Sequence, residues 1–185
     1  MSRLVLVGGG ARSGKSAFAL AKALALGKRR VFVATAQALD AEMHARIARH
    51  VRERGESFYT IEAPIDLPEA IATLGGIDVA VIDCLTLWLS NLLVNGRGES
   101  EIDADVTRLI RSLAEAPFDV VLVTNEVGMG IVPESALGRR FRDVAGRVHQ
   151  RMAATATDIY FAAMGCIVRL RPSPIALEPT AGATA

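Results

Sequence analysis

The chain of 185 residues is 51% apolar and 22% charged, and 21 Lys and Arg against 20 Asp and Glu leave a formal charge of +1. At about 100–200 residues per domain this length argues for one domain, and a chain of this size buries roughly 70% of the surface its unfolded form exposes, so a core needs neither disulfide nor metal. The aliphatic content excludes a chain disordered for most of its length, and the near-zero net charge argues against general affinity for nucleic acid or anionic membrane while leaving open a local site for a small anion.

The first apolar run, Leu4–Val7, reaches glycines far too early to be the apolar region of a signal peptide. It reads instead as a buried strand, as do Val31–Ala34, Val79–Ile82 and Val120–Val123, all short, uninterrupted and β-branched. Between them Ser16–Leu26, Glu42–Arg54 and Ile102–Ala114 have helical period, with Gly27 and Gly55 placed to stop the first two. Alternating strand and helix predicts a mostly parallel α/β sheet with helices on both faces. A longer amphipathic helix is expected from Glu134 to Ala154, with Leu137, Phe141, Val144, Val148 and Met152 on one face. Asp158–Ala163 and Cys166–Arg171 flank Met164-Gly165 and predict an antiparallel hairpin at one sheet edge. Residues 1–171 therefore read as a single domain and 172–185, rich in Pro, Ala, Thr and Gly, as a flexible tail. No stretch approaches the roughly 18 apolar residues that span a bilayer. Cys84 and Cys166 each lie in an apolar segment and read as buried thiols of a cytoplasmic protein.

Gly9-Gly10-Ala11-Arg12-Ser13-Gly14-Lys15-Ser16 matches G-x-x-x-x-G-K-[ST] in full, between a buried strand and a helix. Its glycines let backbone N–H groups turn toward phosphate oxygens at a helix N-terminus. Lys15 is expected on the β and γ phosphates, and the Ser16 hydroxyl on Mg²⁺. Asp83, closing the run Val79–Ile82, is the natural second magnesium residue, directly or through water. Asp78 and Asp119 stand at strand starts, on the face away from ligands, and read as structural.

The second helix carries His44 and His50, both bordering its apolar stripe of Met43, Ile47 and Val51, so angle alone does not choose between them. His50 has Arg46 and Arg54 one turn away on either side, whereas His44 has Asp40 and Ala48. Flanking cations keep an imidazole neutral and nucleophilic and can hold a polyphosphate against it. His50 is therefore the candidate nucleophile, and His44 reads as a solvated or packed ring.

These residues carry a resemblance. The run Gly9–Ser16, Ala34-Thr35-Ala36-Gln37, Glu42-Met43 with Arg46-Ile47 and His50, Asp83-Cys84-Leu85-Thr86 with Asn91-Leu92-Leu93, and above all Thr124-Asn125-Glu126-Val127-Gly128-Met129-Gly130-Ile131-Val132-Pro133 are similar in order and spacing to one family. It is the bifunctional adenosylcobinamide kinase and adenosylcobinamide-phosphate guanylyltransferase family of cobalamin synthesis. Phe141–Arg151 also resembles its long helix, and the likeness runs from Leu4 to Arg171. Gly8 departs from the threonine expected there.

The resemblance implies a P-loop NTPase of the RecA-like kind, assembled as a homotrimer, using Mg²⁺ with ATP and GTP as substrates. It implies phosphorylation of adenosylcobinamide, then transfer of GMP from GTP to adenosylcobinamide phosphate through a guanylylated histidine, which maps onto His50. The family's nucleotide contacts map onto Ala34, Thr35, Ala36, Val51, Arg52, Glu53, Arg54, Glu62 and Asp83. A small-molecule kinase without nucleotidyl transfer would use everything except His50 and its arginines. A GTPase switch needs Asn-Lys-x-Asp after a strand, but Asn125 is followed by Glu126-Val127, and Asp143-Val144-Ala145-Gly146 falls inside the long helical pattern.

Overall fold

The computed structural model describes residues 2–38 and 41–172, except the side chains of Glu42, Arg46, Arg49, Glu53 and Arg54. The expected tail beyond residue 172 lies outside them. The strands are β1 (Leu4–Gly9), β2 (Arg30–Ala34), β3 (Tyr59–Glu62), β4 (Val79–Asp83), β5 (Asp119–Val123), β6 (Asp158–Ala163) and β7 (Cys166–Arg171). They form one sheet in the order β3-β2-β4-β5-β1-β6-β7. Every pairing is parallel except β6 with β7, the antiparallel hairpin expected at the edge.

Alternating side chains of each strand feed two apolar layers. Leu4, Leu6, Val31, Val33, Ile82 and Leu122 enter one, and Val5, Val7, Phe32, Val81, Val121 and Val123 the other. Helix α1 (Lys15–Leu26) covers the second layer through Ala19 and Ala23. The first is covered by α3 (Leu67–Thr73), α4 (Leu85–Val94), α5 (Glu99–Glu115) and α6 (Ala136–Thr155). Strands β1, β2, β4 and β5 are therefore buried on both faces, which is why they read as continuous apolar runs. No helix among the described residues is long and apolar enough to cross a membrane.

Three elements escaped the sequence reading: β3, α3 and α4. Helix α4 buries Leu85, Thr86, Trp88, Leu89, Asn91, Leu92 and Leu93. A helix enclosed nearly all round shows no polar face and so no period. Helix α5 starts three residues before the expected Ile102, because Glu101 turns back to accept from the Gly98 backbone N–H at 2.8 Å. Helix α6 begins at its Ser135 cap, whose hydroxyl accepts from Gly138 N–H at 3.1 Å. Val144, Val148 and Met152 face the core as expected, but Leu137 is exposed in the first turn.

The helix α2 (Ala41–Arg54) is a second departure. Its apolar stripe does not enter either core layer; Met43 and Ile47 are only half-buried and face a cavity. Cys84 is buried as expected, whereas Cys166 is exposed, because β7 is the outermost strand and leaves both its faces largely open. Gly27 ends α1 for a reason other than left-handed backbone: its conformation is extended, and a Cβ there would collide with Asp78.

Asp78 and Asp119 hold the end of the sheet away from the strand C-termini. Asp78 accepts from the backbone N–H groups of Lys28 and Arg29, both at 2.9 Å, and from the Arg29 guanidinium at 2.6 Å. These bonds hold its carboxyl well below the usual carboxylate range. Asp119 accepts from the Arg3 backbone N–H at 2.7 Å. Both are structural.

Candidate nucleotide site

In parallel α/β sheets ligands gather at the C-terminal ends of the strands. Here β1 delivers the glycine-rich loop at that end, β4 delivers Asp83, and β5 lies between them. The loop is held from two sides. Glu126 N–H donates to Gly9 O at 3.0 Å, and Gly165 N–H, at the tip of the β6–β7 hairpin, donates to Ser13 O at 3.2 Å. Gly9 has φ +153°, and a Cβ there would collide with the Ala162 carbonyl, so no other residue fits. Gly8 tolerates more: a Cβ would sit 3.7 Å from Phe161 and 3.9 Å from Thr124, ordinary contact distances. Room for a Cβ is therefore not what excludes the threonine expected there.

Lys15 is buried, and its Nζ donates to Gly10 O at 3.0 Å, folding the ammonium back across its own loop. The Ser13 hydroxyl is buried and makes no hydrogen bond among the described residues. A buried hydroxyl without a partner is costly unless a ligand or water serves it.

A cavity of about 520 Å³ opens beside this loop. Lys15, Ser16 and Asp83 line one part of it. Helix α2 contributes Met43, His44, Ile47, His50 and Val51, and β3 contributes Thr60 and Glu62. Ala34 and Ala36 leave room where larger side chains would intrude, and Glu62 stands opposite Ala34 in register, which in turn stands opposite Asp83. Of the expected contacts, Arg52 is exposed and does not line the cavity. The side chains of Glu53 and Arg54, and of Arg46 that was to flank His50, lie outside the described residues. His44, expected to be bland, is exposed but lines the same cavity as His50.

Thr35 is placed differently from its neighbours. It is fully buried, its hydroxyl donates to Cys84 O and accepts from Cys84 N–H, its N–H donates to Asp83 O at 3.3 Å, and its carbonyl accepts from Asn91 Nδ2 at 2.8 Å. Every polar group it has is turned into the protein, so it shapes the wall from behind. Asn91 also donates to Pro64 O at 2.9 Å, tying α4 to the segment after β3.

Cys84 and Asn125 complete the wall and were not singled out from the sequence as site residues. Burial pushes the Cys84 thiol up to about 11, with the Asp83 charge beside it acting the same way. Asn125 offered one signal: it is a polar residue just past the C-terminal end of a buried strand, much as Asp83 is the polar last residue of one. The loop it opens exposes apolar side chains, Met129 at 81% and Ile131 at 96%. Asp143–Gly146 lies within α6, so its likeness to a switch element is accidental.

The hydroxyl of Ser16 and the carboxylate of Asp83 are hard oxygen donors of the kind Mg²⁺ takes. Among the described residues no group of three or more His, Cys, Asp and Glu gathers to cage a metal alone. That suits an ion whose remaining ligands are phosphate oxygens and water.

The family model for cobinamide kinase / cobinamide phosphate guanyltransferase matches residues 5–170. The chain is 41% identical over 181 residues to the bifunctional adenosylcobalamin biosynthesis protein CobU of Escherichia coli (strain K12), covering 91% of this chain and 99% of that protein. It is 38% identical over 171 residues to CobP of Pseudomonas aeruginosa, covering 92% and 98%. Among solved structures the RadB recombinase superposes with a TM-score of 0.51 at 18% identity, covering 86% of this chain and 73% of that one. That likeness speaks to the fold alone, a RecA-like P-loop architecture. With a family match across nearly its whole length, a chain built on this nucleotide cavity belongs to the bifunctional cobinamide kinase and cobinamide phosphate guanylyltransferase family of adenosylcobalamin biosynthesis.

Proposed function

We propose that GTP lies along the cavity with its triphosphate over the loop Gly9–Ser16 and its α-phosphorus presented to His50. One observation carries this reading: His50 lines the same cavity as Lys15, Ser16 and Asp83. Phe32, Met43, Ile47 and Leu87 offer apolar wall for a purine, and the Glu62 carboxylate can accept from a guanine edge or a ribose hydroxyl. Ala34, Ala36 and Val51 close around the nucleoside.

In the guanylyl step a ring nitrogen of His50 attacks the α-phosphorus. The new N–P bond forms as the bond to the pyrophosphate oxygen breaks, and pyrophosphate leaves with that electron pair. A phosphate oxygen of adenosylcobinamide phosphate then attacks the same phosphorus, the N–P bond breaks and the imidazole is restored. Lys15 trades the Gly10 carbonyl for a phosphate oxygen and neutralises charge on the leaving group. Backbone N–H groups of Gly10, Ala11, Arg12, Ser13 and Gly14 take the remaining phosphate oxygens. Ser16 and Asp83 hold Mg²⁺, which when bound supplies further neutralisation of the polyphosphate. In the kinase step the same loop holds ATP or GTP, and the γ-phosphoryl passes to a hydroxyl of adenosylcobinamide. Residues 1–171 form the one catalytic domain, working in the cytoplasm as a homotrimer, and sedimentation velocity tests that assembly.

The decisive experiment uses GTP labelled at the α-phosphorus. After denaturation the wild-type chain should carry an acid-labile label that His44→Ala keeps and His50→Ala loses. Label retained in His50→Ala, or lost equally in both variants, overturns the assignment.

A further inference from the structure

Strand β5 lies between the strand that carries the phosphate loop and the strand that ends in Asp83. Whatever leaves the C-terminal end of β5 therefore emerges between the two. Asn125 is the second residue past that end, and its side chain lines the cavity with Lys15 and Asp83.

The side chain is anchored on one atom. Asn125 Nδ2 donates to Thr86 Oγ1 at 3.0 Å and reaches Cys84 Sγ at 3.5 Å, while the Asn125 backbone N–H donates to the same Thr86 oxygen at 3.3 Å. Thr86 is buried, and its hydroxyl lies 3.2 Å from Cys84 Sγ, so the hydroxyl hydrogen can turn to sulfur and leave the oxygen's lone pairs for the two Asn125 donors. The structure places Nδ2 at this inner position. The carbonyl Oδ1 then has no hydrogen-bond donor among the described residues. Behind it the loop is pinned again, since Glu126 N–H donates to Gly9 O and Glu126 Oε1 accepts from the Gly128 and Met129 N–H groups.

We propose that Asn125 Oδ1 accepts a hydrogen bond from the attacking alcohol of cobinamide in the kinase step and holds that oxygen in line with the γ-phosphorus. The proposal rests on the reading that the triphosphate lies on the Gly9–Ser16 loop. The alcohol oxygen forms the new O–P bond while the bond from the γ-phosphorus to the β–γ bridging oxygen breaks. The nucleoside diphosphate leaves with that electron pair, and the alcohol proton passes to an oxygen of the transferred phosphoryl group. An amide cannot remove that proton, and a loose phosphoryl-transfer transition state does not need it removed early; it needs the nucleophile aimed. A carboxylate in place of the amide would aim as well but would set a second negative charge beside Asp83 and the triphosphate.

The test is steady-state kinase kinetics with adenosylcobinamide and nucleotide. For Asn125→Ala, kcat should fall about 10²-fold, the cost of losing the aim of one reactant, while the nucleotide KM holds within about twofold. Asn125→Asp, which keeps the acceptor, should retain a kcat at least about fivefold above the alanine variant. An unchanged kcat in Asn125→Ala, a nucleotide KM that rises with the loss, or an aspartate variant no better than alanine each overturns the proposal. The wild-type label from α-labelled GTP is measured alongside. Its absence would refute the His50 reading alone, and Asn125 would still be decided by kcat against nucleotide KM.

Discussion

Thr35 and Cys84 hydrogen-bond each other twice: Thr35 Oγ1 donates to the Cys84 carbonyl and accepts from the Cys84 N–H, both at 2.8 Å. One hydroxyl thus joins the C-terminal ends of β2 and β4 just below the nucleotide cavity, where Asp83 must be aimed. Neither backbone group of Cys84 sees water to fall back on. Thr35→Val keeps the shape but strands the Cys84 N–H and leaves the Cys84 carbonyl only the Trp88 N–H at 3.2 Å, which should cost about 1–3 kcal/mol in urea unfolding. Thr35→Ser removes only a methyl group and should cost about 1 kcal/mol. Equal losses in the two variants would mean that packing, not the hydroxyl, holds this corner.

The two cysteines should separate cleanly by reactivity. The thiolate is the nucleophile, and a thiol raised to about 11 is ionised in only about one molecule in 10³ at pH 8. Cys84 is also buried, whereas Cys166 is exposed on the outer strand. Brief iodoacetamide treatment of the folded protein at pH 8, read by peptide mass spectrometry, should alkylate Cys166 and leave Cys84 untouched until denaturant is added. Native labelling of Cys84 would contradict its placement in the cavity wall.

What the sequence disclosed of the site follows from how local each part is. The loop Gly9–Ser16 closes on itself, Lys15 bonding Gly10 five residues back, so its chemistry is written in one stretch. Asp83 was legible because a buried strand announces where its C-terminal end lies. The opposite wall was legible only through the resemblance, which named Ala34, Ala36, His50, Val51 and Glu62, since its make-up depends on which strands become neighbours. β3 is four residues long and largely exposed, giving no apolar run, and α4 has no polar face to mark it. The stripe on α2 was read correctly as a stripe, yet periodicity does not tell a core face from a face that lines a ligand cavity. Cys166 was misplaced for a related reason: its strand was foreseen at the edge, but an apolar neighbourhood in sequence does not bury a residue on the outermost strand.

His149 supplies the pH dependence. Its Nε2 lies 2.7 Å from Thr124 Oγ1, joining α6 to the end of β5 one residue before Asn125. Burial lowers its affinity for a proton below the ordinary value of 6.5, and the charge of Glu126 opposes that only in part. The native state therefore favours the neutral ring, while the unfolded chain still protonates near 6.5. Below that pH the unfolded state binds more protons, so stability falls as the solution is acidified from 6.5 toward the lowered native value and is fully present above 6.5. His149→Gln keeps an amide within reach of Thr124 but does not titrate. Urea unfolding at pH 7.5 and pH 5.5 should show the wild type losing more stability across that interval than the glutamine variant. If the two chains lose the same amount, the ring takes up its proton as readily in the folded protein as in the unfolded chain, and at pH 5.5 its bond to Thr124 must then be made by imidazolium donating to the hydroxyl.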